Sequence, residues 1–393
     1  MAEILCFDKG GRTARRALAA KGRAPREFFY GVMALQERGY DIEQLSSAES
    51  YEDVFGQIHR TIELGLSHLT RLGLRPHFVA TIQDRMREAR VAVSFTDGFS
   101  LTLGHYYRNT HVGVPFLVGC FHGLSDFEFK ATPLLRPLVR RMIRRALHRL
   151  DLVAFFGPAD REFGISRYGL PPEKTSIILF GVDTEFWTPG ERLPEDFVFS
   201  VGQDPNRDFD TLVNAEVDVP IRLHTALPVV VPPARTNVLL TSGTYHNSTI
   251  TDEELRDLYR RAMAVVVPLK DVYQPTGYSV TLQAMACGKP IVLSRIRGLW
   301  APDLLRDGEN CLLVPPGDRA ALAAAISRLA ADPALRIRLG RAARATAEQH
   351  FNLSTAASSL EELIHHGMSP TGTRNGHRIR IATTQPEQTN EST

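Results

Sequence analysis

Gly277-Tyr278-Ser279-Val280-Thr281-Leu282-Gln283-Ala284-Met285-Ala286-Cys287-Gly288-Lys289-Pro290 follows a run of small apolar residues, Ala264-Val265-Val266-Val267-Pro268, and a polar loop. The order reads as a strand, a glycine-containing turn and a short helix that stops at Gly288. At such a helix start the backbone N–H groups lack intrahelical partners and the peptide dipoles add. An anion, a phosphate above all, is favoured there. Downstream come Ile291-Val292-Leu293-Ser294, Gly298 and then Asp307-Gly308-Glu309-Asn310-Cys311-Leu312-Leu313-Val314-Pro315-Pro316-Gly317-Asp318. A helix over 319–331 follows, with Leu322, Ala325, Ile326 and Leu329 on one face.

The same alternation of strand and helix runs outward in both directions, which predicts an α/β protein with parallel sheets. In the first half, strands are expected near 4–7, 91–95, 115–120, 152–156 and 176–179, with helices near 28–38, part of 50–72, 102–107 and 134–150. Thr188-Pro189-Gly190-Glu191-Arg192-Leu193-Pro194 is a cluster of helix and strand breakers and reads as a linker. Strands resume at 197–202, 221–224, 238–240, 264–267, 291–293 and 312–314. The expected organisation is a first domain over 1–188, a linker over 189–196 and a second domain over 197–367. Residues 368–393 are polar, rich in Thr, Asn, Gln and Pro, and are expected to be disordered.

Bulk properties exclude several classes. With 393 residues, 43% hydrophobic and 23% charged, the chain has room for two ordinary globular domains. A net charge of +2 gives no case for nucleic-acid binding. No apolar run approaches the roughly 18 residues needed to span a bilayer. The opening, Met1-Ala2-Glu3-Ile4-Leu5-Cys6-Phe7-Asp8, reads as a strand and not as a signal peptide. Cys6, Cys120, Cys287 and Cys311 are scattered and read as small buried hydrophobes in a reducing, cytoplasmic setting. No cluster of Asp, His or Cys has metal-ligand spacing, so no metal is expected.

The 277–290 stretch and its continuation resemble the sugar-nucleotide half of glycosyltransferase family 4, whose members carry segments like "EGFGLVLLEAMACGKPVV" and "DGENGLLVPPGD". The resemblance implies the GT-B fold, two facing Rossmann-like doubly wound domains with a cleft between them. It implies a retaining glycosyltransferase that moves a sugar from a nucleotide diphosphate sugar to a hydroxyl of a glycan, glycolipid or small molecule. No cofactor is implied beyond that co-substrate. Ser200-Val201-Gly202-Gln203-Asp204-Pro205-Asn206-Arg207-Asp208, with Leu212, Val213 and Ala215, is similar to the family's "VGRLxxxKGxDxLLxA". Arg207 then stands where the family has its phosphate-binding Lys, and Gln203 where it has an Arg. A guanidinium there can fork onto two phosphate oxygens, worth about 1.5–3 kcal/mol; the competing reading is an ordinary surface arginine in a turn. Thr276, Gly277, Tyr278 and Ser279 form the expected phosphate loop, with Ser279 alternatively the helix N-cap.

Two family glutamates are replaced, by Pro275 and Gln283. Gln283 is left as the expected ribose ligand, with a neutral contact in place of a charged one. A catalytically silent GT-B protein that binds a nucleotide sugar or a partner enzyme is therefore the competing function. In the first domain, Pro115-Phe116-Leu117-Val118-Gly119-Cys120-Phe121-His122-Gly123 is a strand ending in His-Gly, and the resemblance places His122 at the donor sugar. Gly10 and Gly11 resemble the family's glycine turn after the first strand. The helix over 134–150 sets Leu135, Leu138, Val139, Met142, Ile143, Ala146, Leu147 and Leu150 against Arg136, Arg140, Arg141, Arg144, Arg145 and Arg149. It reads either as a core helix with a basic outer face or as a peripheral contact with the inner face of the membrane.

Overall fold

The computed structural model describes residues 2–8, 12–46, 51–107, 114–191, 193–243 and 249–368. Gly10 and Gly11 lie outside the described residues, as does the polar tail beyond Met368. Among the described residues, twelve strands form two six-stranded sheets. The first holds β1 (Ile4–Asp8), β2 (Ile42–Ser46), β3 (Val91–Ser94), β4 (Phe116–Phe121), β5 (Leu152–Phe155) and β6 (Thr175–Ile177) in the order β2-β1-β3-β4-β5-β6. The second holds β7 (Val198–Val201), β8 (Ile221–His224), β9 (Val238–Thr241), β10 (Ala264–Val267), β11 (Ile291–Ser294) and β12 (Leu312–Val314) in the order β12-β11-β10-β7-β8-β9. Every pairing within them is parallel. The central strands β3, β5, β10 and β11 are buried along their whole length. That is why they read as continuous Val/Ile/Leu runs and not as alternating ones.

The strand order decides where a ligand can sit. In the second sheet it reverses between β7 and β10, and in the first between β1 and β3. Open α/β sheets leave a crevice beyond the strand C-termini at such points. The segments after β7 and β10 contain Gln203, Arg207 and the 276–279 turn; His122 follows β4 directly.

One expectation on organisation needs correction. The second domain was expected to run to 367, but the last helix, Leu353–Met368, packs on the first domain, against the Val32–Glu37 helix, β3 and β4. Ala357, Leu360, Leu363 and Ile364 are buried in the core that also contains Val91, Val93 and Val118. Close approach is possible because Gly31, at φ +83°, carries no Cβ; one would come within 2.9 Å of the Ala357 backbone. Arg38 Nη1 and the Tyr40 hydroxyl both donate to Glu361, at 2.7 and 2.6 Å, on the outer side of the same contact.

Candidate active site

The Tyr278–Ala286 helix begins at Gly277, which is its N-cap at φ +80°. A left-handed N-cap suits glycine, and a Cβ there would press on Leu269 and Val267 at 3.1 Å. The first intrahelical bond runs from Thr281 N to Gly277 O at 3.0 Å. The preceding amides are therefore those of the open first turn. No side chain caps this end, so Ser279 is not the N-cap; its hydroxyl instead accepts from Gln283 Nε2 at 3.3 Å.

Arg207 reaches the same place from the segment after β7. It is 6% exposed, and its Nε and Nη1 have no hydrogen-bond partner. It is not the surface arginine of the competing reading. Burial lowers its pKa, with Asp204 and Tyr259 acting weakly in the opposite direction. The guanidinium lies over Gly202, where any Cβ would run into it. Asp204 ties the two segments together, a role that the sequence reading missed. Its Oδ2 accepts from Thr276 Oγ1 at 2.8 Å, and its carbonyl accepts from Arg207 N at 2.9 Å. Gln203 is exposed on the rim and donates from Nε2 to the Gly243 carbonyl at 2.9 Å.

His122 meets this turn from the first domain. Its Nε2 lies 2.9 Å from the Phe95 carbonyl, which can only accept, so Nε2 carries the proton. Nδ1 then accepts from the Tyr278 hydroxyl at 2.7 Å, while the ring stacks on Phe156 at 4.2 Å. Tyr278, a residue of the expected phosphate loop, thus bridges the two domains, and burial holds its hydroxyl well above the ordinary tyrosine range.

Gln283, the expected ribose ligand, is held in place by the protein's own groups. It is buried, its carbonyl accepts from the Tyr259 hydroxyl at 3.1 Å, and its amide donates to Glu27 Oε1 at 3.1 Å and to Ser279. Both amide hydrogens are engaged, and the amide oxygen, which accepts one bond from Tyr259, keeps a second lone pair.

All eight described site residues, His122, Gln203, Arg207, Thr276, Gly277, Tyr278, Ser279 and Gln283, line one cavity of about 530 Å³. Arg15 and Arg23 of the first domain line it as well. Arg15 pairs with Asp252 across the cleft, and Arg23 Nη2 lies 3.4 Å from Glu253. Asp252 and Glu253 open the Asp252–Arg261 helix, which a Thr251/Glu254 capping box closes at its N-terminus. Burial raises the Asp252 pKa, and Arg15 counteracts it. The signal for these first-domain cations was in the sequence, as Arg12, Arg15, Arg16 and Arg23 directly after the first strand, but nothing local named their partners.

Comparison with known proteins bears on this arrangement. Residues 32–186 match the model described as Glycosyltransferase Family 4, and residues 230–332 the model described as Glycosyl transferases group 1. The chain is 27% identical over 315 residues to a D-inositol 3-phosphate glycosyltransferase of Streptomyces bingchenggensis, covering 69% of this chain and 67% of that protein. It is 29% identical over 272 residues to an MMP alpha-(1->4)-mannosyltransferase of Mycolicibacterium hassiacum, covering 63% of this chain and 64% of that one. Sucrose-phosphate synthase from Thermosynechococcus elongatus shares the fold at a TM-score of 0.66 and 18% identity, over 93% of this chain and 99% of that one. HepE of Anabaena in complex with UDP does so at 0.63 and 17%, over 93% and 100%. The two family models take in five strands of the first sheet and four of the second, and the chain belongs to glycosyltransferase family 4, transferases of the GT-B fold.

Proposed function

We propose that this glycosyltransferase is a retaining enzyme that takes its sugar from a nucleoside diphosphate sugar and passes it to a hydroxyl of a glycan, glycolipid or small molecule. One observation carries the proposal: the buried Arg207 guanidinium, whose Nε and Nη1 have no hydrogen-bond partner, shares a cavity with the uncapped start of the Tyr278–Ala286 helix. Buried charged donors left unsatisfied are costly unless a ligand supplies acceptors and counter-charge. In the scheme, the diphosphate lies on the 276–279 turn, with Gln203 at the rim, and leaves with Arg207 opposite the developing charge. His122 lies beside the transferred sugar, where Nδ1 can accept from a sugar hydroxyl in place of Tyr278. No resident cofactor or metal enters the scheme. The UDP complex of HepE, a protein of the same fold, is in keeping with a donor of this class.

The test is nucleoside diphosphate release from the purified protein across UDP-, GDP-, ADP- and dTDP-sugars, with mixed hydroxyl acceptors. Donor-selective release that is lost in Arg207→Ala is the expected result and identifies the base and sugar. Release from no donor, with a nucleotide sugar still bound, would establish the catalytically silent binder instead.

We also place the enzyme in the cytoplasm, in peripheral contact with the inner face of the membrane through the 134–150 region. Most of its apolar stripe serves the core: Val139, Ile143, Ala146 and Leu147 of the Arg136–Leu147 helix are buried. Leu134 and Leu138 remain exposed, beside exposed Arg141, Arg144 and Arg145, whereas Arg140 is paired with Glu128 at 2.6 Å. Each basic residue near an anionic bilayer contributes about 1 kcal/mol. Arg141→Glu with Arg145→Glu is therefore expected to weaken binding to phosphatidylserine vesicles at least tenfold, measured by co-sedimentation. Unchanged binding refutes this contact.

A further inference from the structure

The Val54–Thr70 helix of the first domain turns its polar stripe inward. Gly56 and Glu63 are buried, and His59, Ser67 and Thr70 are half-buried. Glu63 accepts from the Tyr51 hydroxyl at 2.6 Å and from His77 N at 2.8 Å, and His59 stacks on His77 at 4.4 Å. This helix is held by polar contacts. Seven of its large apolar residues face water, Val54 and Leu64 to the sides and five along one stripe: Phe55 is 71% exposed, and Ile58, Ile62, Leu66 and Leu69 are between 50% and 55% exposed. None of the five belongs to a buried apolar cluster among the described residues. At 100° per residue they fall within a stripe about 80° wide, the seam of a helix that packs on another helix.

The spacing of the stripe selects the partner. Phe55 and Leu69 stand equally far from Ile62 along the chain, and so do Ile58 and Leu66. The stripe therefore reads alike from either end, with Ile62 at its centre. Asp53 and Arg71, both exposed, also stand equally far from Ile62, one at each end of the helix. An antiparallel copy of the same helix matches every position. Phe55 meets Leu69 of the second copy, Ile58 meets Leu66, Ile62 meets itself, and Asp53 meets Arg71. The helix dipoles oppose each other as well. A lipid surface gains less, because exposed Glu52 and Asp53 offset Arg60 and Arg71 and leave no net attraction to anionic headgroups.

We propose that this chain self-associates into a two-fold dimer through the Val54–Thr70 helix, paired antiparallel about Ile62. Such an interface is isologous, the same patch on both copies. One helix seam is smaller than the ~800 Å² per partner of a standard interface, so micromolar association is the expected range.

The full chain is examined by sedimentation velocity between about 1 and 100 µM. The wild type is expected to move from monomer to dimer across that range, and Ile62→Glu, which sets two carboxylates on the dyad, to remain monomeric with an unchanged melting curve. Ile62→Cys with copper phenanthroline is expected to give a covalent dimer at least tenfold faster than His68→Cys, an exposed position off the seam; the four native cysteines are buried. A monomeric wild type, a dimer that survives Ile62→Glu, or equal cross-linking at both positions overturns the proposal. So does a monomer that pellets with phosphatidylserine vesicles in an Ile62-dependent manner, which makes the stripe a lipid contact.

Discussion

Arg207→Met is expected to make the free protein more stable while it removes transfer. The guanidinium is buried with Nε and Nη1 unpartnered, and burial works against its charge. An unsatisfied buried polar group costs about 1–3 kcal/mol, which a methionine of similar length relieves. For a domain of this size each kcal/mol moves the melting temperature by about 2–4 °C. In the proposed scheme the same residue is the second-domain guanidinium that opposes the leaving diphosphate. Loss of a group of that kind costs about 3–4 kcal/mol at the transition state, or 10²–10³ in kcat/KM. Arg207→Lys keeps the charge without the planar fork and should fall between. Nucleoside diphosphate should raise the melting temperature of the wild type and leave that of Arg207→Met nearly unchanged. Calorimetry with and without the nucleotide separates the two effects. A destabilised variant that retains its activity would mean that Arg207 is a structural residue.

Much of this site was legible because it is local. A valine run, a glycine at the turn and a short helix fix one half of the cavity within a few residues. β10 and β12 match the expected bounds because breakers or polar residues flank compact apolar runs, and β8, Ile-Arg-Leu-His, matches them as a short alternating run after Pro220. What was missed depends on distant partners or on weak patterns. β2, Ile-Glu-Gln-Leu-Ser, is an edge strand with two polar residues at its centre, so it shows no continuous apolar run. The Arg12–Ala19 helix has few apolar residues, and Arg15 owes its place to Asp252, 237 positions away. The last helix has an amphipathic pattern, but such a pattern does not say which of two cores it covers. Gln283 was read as a ribose ligand from its place in the family pattern, which gave no sign that its amide also bonds Glu27, 256 residues earlier. Glu27 itself sits among aromatics in the sequence and gave no sign of being buried at the junction of the domains.

That buried carboxylate predicts a pH dependence of stability. Glu27 is 1% exposed, and burial pushes its pKa from the ordinary 4.5 up to about 7. Hydrogen bonds from Gln283 and from Trp187 Nε1, the latter at 2.7 Å, favour the carboxylate but do not outweigh burial. The facing charges are Asp183, which adds to the rise, and Arg26, whose Nε is held at 3.0 Å by that same Asp183. With the folded pKa above the unfolded one, the native state holds the proton longer. Glu27's contribution is then fully present below pH 4.5 and is lost as pH rises through about 7. At about 1.4 kcal/mol per pH unit the loss totals about 3 kcal/mol. Asp160, also buried and pushed up to about 7, adds a slope of the same sign in the first domain, so wild type alone cannot isolate Glu27. Glu27→Gln can. Its amide mismatches at least one donor, so it should be less stable than wild type at pH 5 and should recover most of that deficit by pH 8. Denaturant unfolding at pH 5, 6, 7 and 8 measures the difference between the two proteins. A difference that stays constant across the series would show that Glu27 is ionised in the fold throughout, with its hydrogen bonds outweighing its burial.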